Sequence, residues 1–379
     1  MKKILIVIAI FLLMVSGVWG FSFPPGSAHL STVSSDSSPE LGGDLDANGY
    51  KIGGVYHTSS DLNALVTAIS STPATVICAD SNTLTANLTI PATMKLIAQK
   101  GCMITKASTY TATFNGPVEA GNYQWLSGFS SGDVTFASGM VNAVHPEWWG
   151  TGTGDDALSI NKAINAMSGP VNVVLNGNYN TNTTILADKD RVHLLGSGGN
   201  HTATITFSPT TSGDPAVKFI KSAAVNYQSS IKDITFVGSG TKQKIAIEAV
   251  DTSGLIIENV TAYPWTGNNS NPATPSTFLL TKGREALWVK DIYVSADLPI
   301  HIADNPNSTL DLDHAHFENL YLTVTDATQY NVLIDDSVNL SNITFDGIQA
   351  WAQGKGGLYF SSAGASANLN ISLDNIRFE

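Results

Sequence analysis

Ile231–Phe236 reads IKDITF: an apolar residue, a polar one, Asp, then apolar residues in alternation. The pattern returns at Ile257 (IENVTA), Val289 (VKDIYV), Phe317 (FENLYL), Leu340 (LSNITF) and Leu373 (LDNIRF), with Asp or Asn at 233, 259, 291, 319, 342 and 375. The spacings are 26, 32, 28, 23 and 33 residues. Self-similarity at an irregular period in the ~20–50 range marks a solenoid whose repeats stack and carry variable loops. Short strand-like runs fill each repeat with no helical pattern between them, which favours a β-solenoid over a leucine-rich or helical one. The Asp or Asn between two inward apolar residues suits a bend, where its side chain bonds backbone groups. A β-sandwich gives no reason for one hexapeptide pattern to recur. The expected class is all-β.

Upstream, HPEWWGTGTGDDALSINKAINAM (145–167) is the one long stretch that reads as a helix. A solenoid leaves its terminal repeat with an open apolar end that must be covered. Asp155 or Asp156 supplies an N-cap, and Leu158, Ile160, Ala163, Ile164 and Met167 supply an apolar face. Trp148 and Trp149 read as part of the same lid.

The chain has 379 residues, 13% of them charged, and a net charge of -12. Polar surface must therefore come from Ser, Thr, Asn and Gly, which suits strands and turns. Only three arginines occur, Arg191, Arg284 and Arg377, so no basic cluster marks a nucleic-acid surface. Residues 1–20 carry a basic start and the apolar run Ile4–Met14, a secretory signal pattern shorter than the ~20 apolar residues of a membrane span. The mature protein is expected to be secreted or cell-surface, with no membrane span after signal removal.

Residues 21–57 form a Ser/Gly/Pro-rich leader in which LGGDLDANGYKI (41–52) reads as a small hairpin of Leu41–Leu45 and Tyr50–Ile52. Residues 58–140 read as a small β domain opened by a short helix at Asp61–Ile69, and 141–379 as the repeat domain with its cap helix. Cys78 and Cys102, 24 residues apart and close to one repeat, are expected to pair as a disulfide. The chain stops directly after NIRF, which predicts either an oligomer such as a homotrimer through this end or further chain beyond it.

The segment VHPEWWGTGTGDDALSINKAI, followed by VNVVLNGNYNTNTTI and VHLLGSGGNHTATITF, resembles the start of the pectate-lyase-like proteins. LGGDLDANGYKI is similar to a short tail-fibre-type motif. The resemblance implies a single-stranded right-handed parallel β-helix, of the exported bacterial or phage tail-spike type, that handles a polysaccharide. It implies no single activity, because the superfamily spans lyases, hydrolases, epimerases and non-catalytic spikes. Of the polygalacturonate hydrolase motifs only an Asp-Asp, Asp335-Asp336, has a counterpart. Arg284 has no flanking acid cluster of the kind a calcium-dependent lyase needs, so pectate lyase activity is not supported.

Aligning the strand before each next repeat gives a row of Glu248, Lys282, Asp304, Asp336 and Ser362, shifted by one residue at most. Stacked strands lie ~4.8 Å apart, which brings Asp304 beside Asp336 as a candidate catalytic pair, with Asp335 next to it. Two close acids repel, leaving a proton donor beside an ionised base. Glu248, Lys282, Arg284, Trp265 and Trp351 are the candidate glycan-binding residues, and Trp288, Tyr293 and Tyr321 are further rings able to stack on sugars. The run LDLDHAHFEN places Asp311, Asp313, His314, His316 and Glu318 together; with both histidines on one strand face it can ligate a metal, but a solvated outer face is the preferred reading. No cofactor and no metal is expected. A non-enzymatic glycan-binding adhesin or a structural spike segment is the alternative to a hydrolase.

Overall fold

The computed structural model describes residues 46–47, 50–51, 54–57 and 61–379, except 153, 199–201, 222–223, 267–274, 283–284, 305–311, 336–337, 339, 353–354 and 362–369. The signal segment and most of the leader lie outside the described residues. Two compact units divide the chain, Met1–Ile52 and Gly53–Glu379. In the first, Asp46–Ala47 pairs antiparallel with Tyr50–Lys51. This is the expected hairpin, with its first strand just beyond Leu41–Leu45. Among the described residues no helix is long and apolar enough to cross a membrane.

The second unit is built almost wholly from parallel strands. Its first part stacks three sheets. Val55–His57, Ala74–Cys78, Met94–Ala98 and Val118–Ala120 form one. Ser81–Leu84, Met103–Lys106 and Leu126–Ser127 form the next. Leu88–Ile90, Ala112–Phe114 and Val134–Phe136 form the third. Alternation drives these strands: Met94, Leu96 and Ala98 point inward while Lys95 and Ile97 face outward. Cys78 and Cys102 fall on neighbouring repeats, Cα atoms 5.3 Å apart, and are disulfide-bonded as expected. Helix α1 (Leu62–Ile69) starts where Asp61 accepts the Ala64 N–H at 2.9 Å, and buries Leu62, Val66 and Ile69.

The second part holds two long parallel sheets. One runs Val171–Leu175, Val192–Gly196, Ser230–Lys232, Ile256–Trp265, Trp288–Ala296, His316–Val324, Ile343–Ala352, Ile371–Asp374. The other runs Ile185–Ala187, Pro215–Phe219, Ile245–Val250, Thr277–Lys282, Leu298–Ile302, Val332–Ile334, Leu358–Phe360. The chain alternates between them repeat by repeat, and neither closes on itself. In-register stacking puts like side chains on like: Phe317 lies on Phe345 with centroids 4.7 Å apart.

Helix α2 (Ala157–Asn165) does not cap an open end. It packs against Val134–Phe136 on one side and against Val171–Leu175, Asn178–Thr181 and Ile185–Ala187 on the other. Bridges Phe136–Met167 and Val144–Val173 carry parallel pairing across the expected boundary at 140/141. The helix is therefore an internal rung between two stacks. Its buried stripe is Ala157, Ile160, Ala163 and Ile164, whereas Leu158, about 160° around the helix from Ile160, is 56% exposed. Asp156 flanks the helix without capping it. Its carboxylate accepts the Gly152 and Asn180 N–H groups at 2.6 and 2.8 Å, tying the rung to the next repeat. Trp148 and Trp149 are buried, and Trp148 joins Phe114, Trp125 and Phe136 in one aromatic cluster.

The Asp/Asn bend exists, with one correction of phase. Asp233, Asn259, Asp291, Asn319 and Asn375 all take left-handed conformations, with φ between 51° and 59°. Strand register sets Glu318 opposite Asp346 and Leu320 opposite Ile348, so the counterpart of Asn319 is Gly347 (φ 66°), not Asn342. Asn342 belongs to a second left-handed ladder that precedes the strands, with His314, Ala286 and Gly254. With Gly347 in place the last three spacings, from 291 to 319, 347 and 375, are all 28 residues. The bends are stitched together by side chains: Asn259 Nδ2 donates to Asp233 at 2.5 Å, and Asn319 Nδ2 to Asp291 at 2.5 Å.

Candidate functional site

Two outward faces carry chemistry. On the second long sheet, alternation sends Lys218, Glu248 and His301 outward, and the register places Lys218 opposite Glu248. Glu248 is 6% exposed and forms ion pairs with Lys218 at 2.8 Å and Lys282 at 3.5 Å. Glu248 and Lys282 are thus together, but their carboxylate and ammonium neutralise each other rather than waiting for a ligand. Within the expected row Asp304 is one residue off Lys282, since Thr281 pairs with Ile302 and so puts Lys282 level with Ala303 and, one strand on, with Asp335; Glu248, level with Leu280, is two residues off and breaks the row.

Asp335 is the centre of this face. Its carboxylate meets His301 Nε2 at 2.9 Å. The His301 hydrogen bond, outweighing burial and helped by the Asp304 backbone N–H and the Lys282 charge, holds the Asp335 carboxyl below the usual carboxylate range. Asp335 therefore stays ionised, and its partner Asp304 enters through its backbone. Asp336 and Arg284 lie outside the described residues.

The other face is on the first long sheet. Tyr293 is 50% exposed and lies over Tyr321 with ring centroids 6.3 Å apart. Tyr321 in turn stacks on Trp351 at 5.9 Å and 23°. Tyr263, 60% exposed, sits two residues beyond Thr261, the register partner of Tyr293. Ser295, Thr323 and Gln349 stand among these rings on the same outward rows. Four strands at ~4.8 Å spacing make the strip ~14 Å long. Trp351 Nε1 donates to Glu379 at 2.5 Å, which fixes the plane of its ring.

Trp265 corrects the sequence expectation for a binding residue. It is fully buried, stacked on Phe207 and set edge-on to Phe236, with Nε1 donating to the Lys244 carbonyl at 3.3 Å. Its position in Ile256–Trp265, beyond the register shift after Ala262, turns the ring inward. Tyr263, exposed by the regular alternation Thr261, Ala262, Tyr263, is a ring that sequence reasoning missed; that alternation was the available signal. His301 was missed too, because its partner comes from the next strand.

The histidine–acid run does not converge. His314 has φ 53° and sits at the bend, so it does not share a strand face with His316, whose strand begins at His316 itself. His316 stacks on Trp288 and Glu318 pairs with Lys290 at 3.4 Å. Among the described residues no three His, Cys, Asp or Glu side chains gather to hold a metal ion.

No protein-family model and no curated protein matches the chain. Among solved structures it is similar to ORF18 of Geobacillus virus E2, at 15% identity, with a TM-score of 0.24, over 62% of this chain and 60% of that one. The chain thus spans about 60% of that protein's length, and a likeness this slight carries no argument about function.

Proposed function

We propose that this chain is an exported, single-stranded right-handed β-helix that binds a glycan along the strip Tyr263, Tyr293, Tyr321 and Trp351. The stacked, solvent-facing Tyr293–Tyr321–Trp351 ladder carries the reading. Aromatic faces pack on the apolar C–H faces of sugar rings, and neighbouring hydroxyl and amide groups bond the ring hydroxyls. Thr323 and Gln349, both partly exposed on these rows, supply such groups, whereas Ser295 is buried. A right-handed connection is the rule when a chain leaves a strand and returns parallel to it. The leading segment motivates export.

The test is retention of the purified protein on a polysaccharide panel, followed by Tyr293→Ala and Trp351→Ala on whichever glycan is retained. Truncating a central aromatic contact costs about 1–2 kcal/mol, a ~5–30-fold loss of affinity. Unchanged affinity in both variants, with folding verified by circular dichroism, or no retention by any glycan, would remove the proposal.

One observation favours a second reading, cleavage. An ionised Asp335 locked to His301 suits a base or nucleophile, and leaves the proton donor to Asp304 or Asp336. Asp335→Asn, and whichever of Asp304→Asn and Asp336→Asn removes the donor, should then lower reducing-sugar release ~10²–10⁴-fold while glycan retention is kept, and the Asp304→Asn/Asp336→Asn double variant should lose it in either case. Full activity in the double variant would end this reading and leave binding alone.

A further inference from the structure

The geometry points to a second binding site, independent of the aromatic strip: a cavity lined by Lys189, Arg191, Lys221 and Tyr227 that takes the phosphate or sulfate ester of a sugar. The cavity measures about 620 Å³ and lies beside the strand Val192–Gly196. That is the size of small-molecule sites in general. Its charge is the first observation. The protein has 19 Lys and Arg against 31 Asp and Glu, yet three cations line this one cavity beside a single carboxylate, Asp190. The lining thus carries a surplus of two positive charges, the complement of a dianion.

The second observation is how each cation is held. Lys221 Nζ is fixed by Asp190 at 2.8 Å, and Asp190 also accepts the Tyr227 N–H at 3.0 Å. Lys189 Nζ donates to the Met167 carbonyl at 2.7 Å; burial lowers its pKa while exposed Asp188 opposes that. Arg191 is braced through Nε to Gln228 Oε1 at 3.1 Å; its two terminal nitrogens make no hydrogen bond among the described residues, and its charge acts on neighbouring Asp190. A guanidinium anchored by Nε presents a ready two-pronged donor.

The third observation is the choice of residue. Arg191 sits at φ 56°, at the head of the left-handed ladder that Gly254 and Asn342 occupy further along. Gln228, Ala286 and His314 hold the same ladder, so the bend does not call for an arginine; its effect is to set Arg191 directly beside Gln228, which braces it. Tyr227, 48% exposed, offers a ring to the sugar at the same cavity. Two ammonium groups and a guanidinium from two segments, 189–191 and Lys221, suit a tetrahedral oxyanion better than a planar carboxylate, which one arginine satisfies alone.

The experiment titrates the intact protein with glucose 6-phosphate, glucose 6-sulfate, glucuronate, glucose and inorganic phosphate, read by ligand-observed NMR. At least one ester should bind, and which one identifies the source. Glucose should not bind, and glucuronate and inorganic phosphate should bind at least fivefold more weakly. Arg191→Asn, which keeps the left-handed bend, should reduce ester binding tenfold or more; Arg191→Lys should fall between. Tyr293→Ala should leave it unchanged, which separates this site from the strip. Absence of ester binding overturns the assignment. So does equal binding by Arg191→Asn, glucuronate or inorganic phosphate.

Discussion

Replacing Gly347 with asparagine or with valine separates the conformation of the bend from the space around it. Gly347 has φ 66°, and a Cβ built there meets only the Asn319 backbone at 3.5 Å, ordinary contact. Room is therefore not limiting, and the cost of a side chain is conformational. A left-handed L-residue costs about 1–2 kcal/mol, at the top of that range or above for a β-branched one and less for Asn. Any replacement of glycine returns about 0.4–1 kcal/mol by restricting the unfolded chain. Gly347→Asn should thus lie within ~0.5 kcal/mol of the parent, and Gly347→Val should cost about 1.5 kcal/mol. Melting temperature is a blunt reporter here: at ~2.1 cal/mol/K per residue, a unit of this length moves only ~2 °C for that loss. Amide hydrogen exchange in Ile343–Ala352 is sharper, because the same loss lowers local protection ~10-fold. Asparagine and valine variants with equal protection would refute the assignment of Gly347 to the ladder.

Two further outcomes rest on named contacts. Replacing Cys78 and Cys102 together with Ala removes a cross-link spanning 24 residues and should cost about 3.5 kcal/mol, measured by urea unfolding of the first stack; a cost under ~1 kcal/mol would contradict it. Asp133 would be raised by burial, but Lys106 at 2.5 Å and the Ser130 N–H hold its carboxyl below the usual range, and Asp335 is lowered by His301. Carboxyls lowered on folding stabilise the protein above their unfolded pKa, and that stability disappears as pH falls through ~4 and below. Asp133→Asn should therefore flatten the acid limb of a stability–pH profile, and an unchanged limb would contradict this.

The parallel, strand-built architecture was legible because a stacked repeat must place the same kind of residue at the same bend each time. Asp233, Asn259, Asp291 and Asn319 carry that regularity into the sequence. The misreading at Asn342 has a physical origin: each repeat has two left-handed bends, and both accept asparagine. Ser341-Asn342 imitates the pattern of one ladder while occupying the other, and the true occupant, Gly347, has no side chain to advertise itself. Helix α2 was visible from its leading acid pair, of which only Asp155 accepts a helical N–H, that of Ala157, and from its apolar spacing, but the same amphipathic stripe serves a terminal lid and an internal rung. Only the pairing of Phe136 with Met167 and Val144 with Val173 distinguishes them.

The candidate site was legible only where strand alternation alone decides exposure. Tyr293 and Tyr321 share a row because Val289–Val294 and Phe317–Leu322 run in register without interruption, so equal offsets give equal faces. Trp265 fails the same reasoning because a register shift follows Ala262, and a single slipped residue sends a side chain to the opposite face. The acid row fails for a different reason. Glu248 was read as a glycan-binding residue and Asp335 as a catalytic one, yet lysines and a histidine from adjacent strands satisfy them, and such partners are invisible until the register is known. The aromatic ladder carries no such obligation. Ring stacking along the strands occupies the facing sides of Tyr321 and Trp351 but leaves Tyr293 half exposed, so the strip is open to a ligand once the bonds among the described residues are counted. That difference, rather than the number of acids nearby, is why binding is the stronger reading and catalysis the second.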